Sequence, residues 1–167
     1  CLLNNNISLY AAPLRLGAHP EIGNNVYLLR IAGAKPIEKF REYKGVQIGY
    51  LGELTGLVDL SELMGRFSSF EIKALLFGKD KVKRIAAVSG RGGFAIKEAV
   101  EKGVDLFITG EAEHELYHIA REGRINVFFL GHYSSECIGI KALMEVVRNK
   151  LGVETAFICL LLARPLP

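Results

Sequence analysis

His132 and Glu136 stand four positions apart in the run Gly131-His132-Tyr133-Ser134-Ser135-Glu136. If a helix begins there, one turn brings both side chains toward the same point. An imidazole nitrogen beside a carboxylate oxygen suits borderline divalent metals such as zinc, iron, manganese or nickel. The same pair is also explained by a glutamate favoured near a helix N-terminus by the dipole, beside an exposed histidine. Two ligands fall short of the three or four protein donors that hold zinc firmly.

Three further runs carry chemistry-bearing residues. Ser89-Gly90-Arg91-Gly92-Gly93 offers backbone amides and an arginine ahead of a helix, a combination that could cradle a phosphate, with Arg91, Gly92 and Gly93 as the anion-binding residues. It lacks the Gly-Lys-Ser/Thr of a P-loop and the glycine spacing of a dinucleotide fingerprint, and a plain strand-to-helix turn also accounts for it. His114-Glu115-Leu116-Tyr117-His118 matches the His-Glu-x-x-His pattern of zinc peptidases. Arg121 occupies the glycine position of the extended metzincin pattern, and a solvated helix face is the simpler account. His19-Pro20-Glu21-Ile22-Gly23-Asn24-Asn25 reads as a site loop or as a hydrogen-bonded connection before a capped helix.

The elements that must position these residues follow from apolar periodicity. Residues 84–89, 105–109 and 126–130 are short apolar runs, read as buried strands. Helical faces follow over 94–102, 113–122 and 135–150, with Gly103, Gly123 and Gly152 as stops. A last strand is read over 153–158. In the first half, strands are expected over 7–12, 46–51 and 72–77, and helices over 24–32, capped by Asn24 or Asn25, and 59–67. Near-continuous apolar strands alternating with helices predict an α/β fold, a mostly parallel sheet with helices on both faces. Thr109-Gly110-Glu111, Gly131-His132 and the 89–93 run then gather at the carboxyl ends of strands, where open α/β sheets bind ligands.

The bulk numbers suit this reading. The 167 residues are half apolar and 23% charged, with a net charge of +3. That length matches about one domain. The densest basic stretch, Lys79-Asp80-Lys81-Val82-Lys83-Arg84, reads as a solvated loop, so nucleic acid is not expected as a partner. Cys1, Cys137 and Cys159 form no Cys-x-x-Cys pair, which argues against a thiolate zinc site and fits a reducing cytoplasm. No apolar run approaches the roughly 20 residues of a membrane helix. Residues 1–10 read as the middle of a fold and residues 160–167 turn abruptly apolar, so the chain is expected to be a fragment.

Taken together, residues 5–25, Val88-Ser89-Gly90-Arg91-Gly92-Gly93-Phe94, Asp105-Leu106-Phe107-Ile108-Thr109-Gly110-Glu111 and the run 131–136 followed by 139–143 resemble the NIF-three-like family of dinuclear-metal-centre proteins, the GTP cyclohydrolase 1 type 2 homologues. The resemblance implies one family domain over 1–167 lacking its N-terminal segment, with a lobe boundary near 43–46 in a two-lobed fold. It implies a toroidal homohexamer and two divalent metal ions between the lobes. His132 and Glu136 match the family's C-terminal metal ligands. Glu111 then becomes a proton shuttle or a support for a ligand, and a metal-dependent hydrolase acting on a nucleotide or phosphate ester is the implied activity.

The chain departs from the family pattern at informative places. Pro13 stands where a histidine is usual, Gly17 where a metal-binding aspartate is usual, and Cys159 where another aspartate is usual. The family's upstream histidine pair precedes Cys1. Two readings therefore stay open: a metal-dependent hydrolase with weak or partial metal loading, or a non-enzymatic ring-forming scaffold with a degraded metal site. Self-association is expected in both, from the family's ring and a mean hydropathy of +0.23.

Overall fold

The computed structural model describes residues 2–11 and 13–158, with Pro13 described by its backbone. The elements run α1 (Pro13–Gly17), α2 (Asn24–Ala32), β1 (Lys35–Tyr43), β2 (Val46–Asp59), α3 (Leu60–Arg66), β3 (Lys73–Leu76), β4 (Lys81–Val88), α4 (Ile96–Glu101), β5 (Leu106–Thr109), α5 (Leu116–Gly123), β6 (Asn126–Phe129) and α6 (His132–Leu151).

The six strands form one sheet in the order β1-β2-β4-β5-β6-β3. The α/β class stands, but the sheet is mixed rather than mostly parallel. β4, β5 and β6 are parallel, with Val88 beside Thr109 and Thr109 beside Phe129. The β1–β2, β2–β4 and β3–β6 pairings are antiparallel. The connections set these directions: helices return the chain to the same end of the sheet between β4, β5 and β6, whereas a tight hairpin joins β1 to β2. That hairpin turns at Lys44 and Gly45, whose φ values are 50° and 76°. Residues 43–46 are thus a turn within one sheet.

Helices cover both faces, because the central strands are apolar on both. Ile85, Ala87, Leu106, Ile108 and Phe128 pack against α2 and α3. Ala86, Val88, Phe107, Val127 and Phe129 point the other way, toward Ile96 and Ala99 of α4 and Leu116 and Ala120 of α5. β5 and β6 are buried at every position. This double-sided burial fixes where the two parallel strands end, and so where their loops emerge.

The first half differs from expectation. β1 is a strand where none is expected, because its residues are mostly charged and Phe40 is its one buried position. β2 continues eight residues past Leu51, pairing with β4 in two stretches separated by an irregularity. Residues 7–11 and 153–158 pair with no strand. Residues 2–11 are exposed throughout, so their apolar side chains have no sheet edge to join. Cys1, Ala12 and Cys159 lie outside the described residues. Gly23 takes the cap position of α2, and no side chain caps it. Asn24 and Asn25 are instead buried and bond elsewhere.

Candidate metal centre

The three strand-end loops are stitched into one surface by backbone hydrogen bonds. Gly110 and Glu111 both donate their N–H groups to the Gly90 carbonyl at 3.0 Å, and Gly131 donates to the Gly110 carbonyl at 2.9 Å. Buried side chains complete the stitching. Ser135 Oγ accepts from the Gly90 N–H at 2.9 Å and donates to the His132 carbonyl at 2.9 Å. Thr109 Oγ1 accepts from the Gly92 N–H at 3.2 Å. From α2, Asn25 Oδ1 accepts from the Ser89 N–H at 2.7 Å while its amide donates to the Ile48 carbonyl. Asn24 Oδ1 accepts from the Gly139 N–H in α6 at 2.7 Å. Ser135, Thr109, Asn24 and Asn25 lie in the runs singled out from the sequence, but their part as buried ties between the loops was not legible there. Polar residues at strand ends or in the first turn of a helix, next to apolar neighbours, were the available signal, because a buried polar group must be paired.

Gly131, at φ 82°, turns the chain from β6 into α6 and makes His132 the first helical residue. Glu136 then lies one turn on, as the spacing predicts. His132 Nδ1 meets Glu111 Oε1 at 2.5 Å, and His132 Nε2 stands 3.4 Å from Glu136 Oε2. The imidazole therefore sits between two carboxylates. Its pKa is raised above the ordinary value, first by the hydrogen bond to Glu111 and further by the charge of Glu136, against the opposing effect of burial. Gly90 completes the enclosure. Its φ is 62°, and a Cβ there would run into the Glu136 carboxylate and stand 3.2 Å from His132 Nε2. A side chain at position 90 would fill the space that the pair faces.

The donor chemistry suits a divalent metal in part. With Nδ1–H donated to Glu111, Nε2 carries the lone pair and faces Glu136, the carboxylate–histidine arrangement usual at metal sites. Two ligand atoms at about 2.0–2.2 Å on a tetrahedral metal stand roughly 3.3–3.6 Å apart, and the Nε2–Oε2 separation of 3.4 Å falls in that range. A third donor is missing: Glu111 is taken up by Nδ1 of His132, and among the described residues no three His, Cys, Asp or Glu side chains are arranged to hold a metal ion. Gly17 carries no donor, and a Cβ built there meets nothing within 4 Å. His19 uses Nδ1 to accept the Glu21 and Ile22 N–H groups, ordering the turn before α2.

An open cleft of about 920 Å³ adjoins the pair and includes His132 and Glu136 in its lining. Arg91 lies on its rim, with Nε 2.6 Å from Glu113 Oε1 and 3.9 Å from Glu111 Oε2. Glu113 thus holds the guanidinium charged and in place. The Gly92 N–H is taken by Thr109 and Gly93 is buried. The zinc-peptidase pattern is not realised as a helical pair, because α5 starts at Leu116 and leaves His114 in the preceding turn. The His114 and His118 rings lie 6.4 Å apart, edge to face.

The fold and the family follow from comparison with known proteins. The family model described as Duf34/NIF3 (NGG1p interacting factor 3) matches residues 1–161. The GTP cyclohydrolase 1 type 2 homolog of Archaeoglobus fulgidus is 54% identical over 157 residues, covering 94% of this chain and 63% of the relative. The homolog of Pyrococcus horikoshii is 48% identical over 161 residues, covering 94% and 64%. Among solved structures, protein ybgI, whose function is described as unknown, aligns with a TM-score of 0.85 at 34% identity, covering 94% of this chain and 63% of that one. The chain therefore spans a little under two thirds of the length of these relatives. A family match over nearly the whole chain, with a fold and a strand-end site to go with it, means that this chain belongs to the Duf34/NIF3 family.

Proposed function

We propose that this chain carries the C-terminal half of a divalent-metal site in a hydrolase-like protein that acts on a nucleotide or other phosphate ester. The observation that carries the reading is the Glu111–His132–Glu136 arrangement at the edge of the cleft. His132 Nε2 and Glu136 are the ligands, and Glu111 orients the imidazole through Nδ1. A bound divalent metal supplies Lewis-acid activation of water near neutral pH. Glu111, whose second oxygen faces Arg91, would take up the proton that the activated water releases. Zinc, iron, manganese and nickel all suit an imidazole and a carboxylate. Occupancy in this chain is weak or partial, because two donors leave most of the coordination to water. The family names of the relatives favour a nucleotide substrate.

Elemental analysis tests the metal, and turnover of a nucleotide and a phosphate-ester panel with added metal tests the chemistry. Metal-dependent turnover lost in His132→Ala supports the hydrolase. A second reading, a ring-forming scaffold without catalysis, draws on Gly17, which offers no donor where the family pattern has an aspartate. It predicts no turnover in the chain or in Gly17→Asp. Self-association belongs to both readings, and the nearly full exposure of Leu3 (89%), Leu9 (79%) and Tyr10 (83%) favours it. A cytoplasmic location goes with three cysteines that form no Cys-x-x-Cys pair and with the reducing compartment they suit. Among the described residues no helix is long and apolar enough to cross a membrane.

A further inference from the structure

The cleft beside His132 is lined by two cations besides Arg91, namely Arg41 and Lys97. Arg41 lies within β1 with φ 57°, a left-handed conformation inside a strand. Such a conformation is unfavourable for a side-chain-bearing residue, persists where the surroundings impose it, and clusters at ligand sites. The Arg41 N–H donates to Glu98 Oε1 at 3.2 Å, which pins the backbone. Its guanidinium is less well served. The Glu98 Oε2 carboxylate oxygen stands 3.9 Å from Nη1, and the buried Nε has no hydrogen-bond partner among the described residues. The guanidinium carbon lies 5.2 Å from the centroid of Phe94, which packs on Tyr43 at 5.5 Å. All three residues line the cleft, as does Lys97, an exposed lysine for which no ion pair occurs among the described residues.

Arg91 is the contrast. It lines the same cleft, but Glu113 neutralises it at 2.6 Å with Glu111 nearby. An anion entering the cleft would have to displace Glu113 to use Arg91, whereas Arg41 meets Glu98 only at 3.9 Å and Lys97 has no ion pair among the described residues. A guanidinium braced against an aromatic ring presents planar donors in a fixed fork that suits phosphate. The cleft volume of about 920 Å³ lies within the usual range for small-ligand sites. Its apolar lining, Ile48, Val88, Ile96 and Leu116 among others, suits the flat body of a base. Glu113, Glu115 and Glu136 also line the cleft, and of these Glu113 is paired with Arg91.

We propose that Arg41 and Lys97 bind the phosphate of a nucleoside monophosphate-sized ligand in this cleft, with its base on the apolar lining. The proposal names the residues and substrate class of the phosphate-ester reading above, and rests on that reading for its relation to the metal pair. Binding itself needs no metal, so a test in chelator separates the two.

The experiment is calorimetric titration of the 167-residue chain with adenosine monophosphate, adenosine and inorganic phosphate, each with excess chelator. Adenosine monophosphate is expected to bind more tightly than either half alone. Arg41→Gln should weaken it about tenfold or more, the usual cost of losing a charge-assisted hydrogen bond. Lys97→Gln should weaken it less, and Arg91→Gln less again. Arg41→Gly relieves the left-handed strain, so it should keep or raise the melting temperature while losing the ligand, which separates binding from misfolding. An Arg91→Gln loss equal to that of Arg41→Gln, affinity for adenosine matching that for its monophosphate, or no saturable binding overturns the proposal. A chain that binds the nucleotide but takes up no metal leaves the proposal standing and removes the hydrolase.

Discussion

Gly17 and Gly90 both lie near α6 and are built to opposite standards. Gly90 is hemmed in by α6: a Cβ there would collide with Glu136 and crowd His132, and its carbonyl already receives two N–H groups from the next loop. Gly17 ends the short helix α1, and a Cβ there would meet open space. Glycine is required by geometry at position 90 and merely tolerated at position 17. The surroundings of His132 and Glu136 are thus fixed by backbone packing of β4, β5, β6 and α6. Position 17 is under no comparable constraint.

The contrast is broken most directly at Gly90. In Gly90→Ala the left-handed φ costs about 1–2 kcal/mol, and the Glu136 carboxylate must swing away from His132. A clear drop in melting temperature is expected, together with a larger loss of zinc or manganese affinity by calorimetry. Gly17→Ala should leave stability within about 0.5 kcal/mol of the parent. Equal effects at the two glycines would show that the enclosure around Gly90 is not what orders the pair.

Glu111→Gln comes next. It keeps the shape but removes the charge that orients and charges His132. Metal affinity should fall roughly 10–100-fold, the usual weight of a group that supports a ligand. In the metal-free chain, His132 is expected to titrate by NMR above the ordinary imidazole value of 6.5, and to move down in Glu111→Gln. The sign for stability follows. A raised folded pKa gives a contribution fully present below the unfolded imidazole pKa, which is lost as pH rises through the folded value. Metal uptake runs the opposite way, increasing with pH as the imidazole gives up its proton. A His132 midpoint unmoved by Glu111→Gln would sink the role given to Glu111.

Gly17→Asp should have a smaller effect. The open space permits a carboxylate, and α1 packs beside α6, so a third donor is sterically allowed. Without the family's upstream histidines the gain is modest, on the order of tenfold by comparison with single supporting groups. Tight binding of two metals by the unmodified chain would contradict both this and the assignment of ligands.

The same contrast explains what the sequence revealed. The half from residue 81 onward was legible because β4, β5 and β6 are short apolar runs, each stopped by glycine and followed by an amphipathic helix. That rhythm placed His132, Glu136 and Glu111 on one edge. β1 was not legible, since a strand with Phe40 as its one buried residue looks like a charged loop until β2 is seen beside it. The apolar run 153–158 looked like a strand and pairs with none, because hydrophobicity alone does not supply a neighbour. The approach of His132 to Glu136 was visible from spacing. The role of Arg41 was not, because its left-handed backbone and unpaired Nε arise from tertiary packing. The pairing of Arg91 with Glu113 was not legible either, because a glycine-rich neighbourhood says nothing of a carboxylate 22 residues away.

The smallest expected effect is at His118, and it tests whether the His-Glu-x-x-His pattern carries any metal at all. A zinc peptidase needs both histidines on one helix face with a third ligand beside them. Here His114 precedes α5, its ring meets His118 edge to face, and His118 also packs edge to face against Tyr117 at 5.4 Å. Both histidines are exposed, so their loss leaves no buried group unpaired. His118→Ala should therefore leave metal content unchanged and stability within about 0.5 kcal/mol, as for most surface substitutions. The measurement is elemental analysis with a denaturation curve on the same preparation, beside His132→Ala. Loss of metal in His118→Ala, with metal retained in His132→Ala, would move the metal centre from α6 to α5 and leave the carboxylates around His132 as an ordinary charge-stabilised helix start.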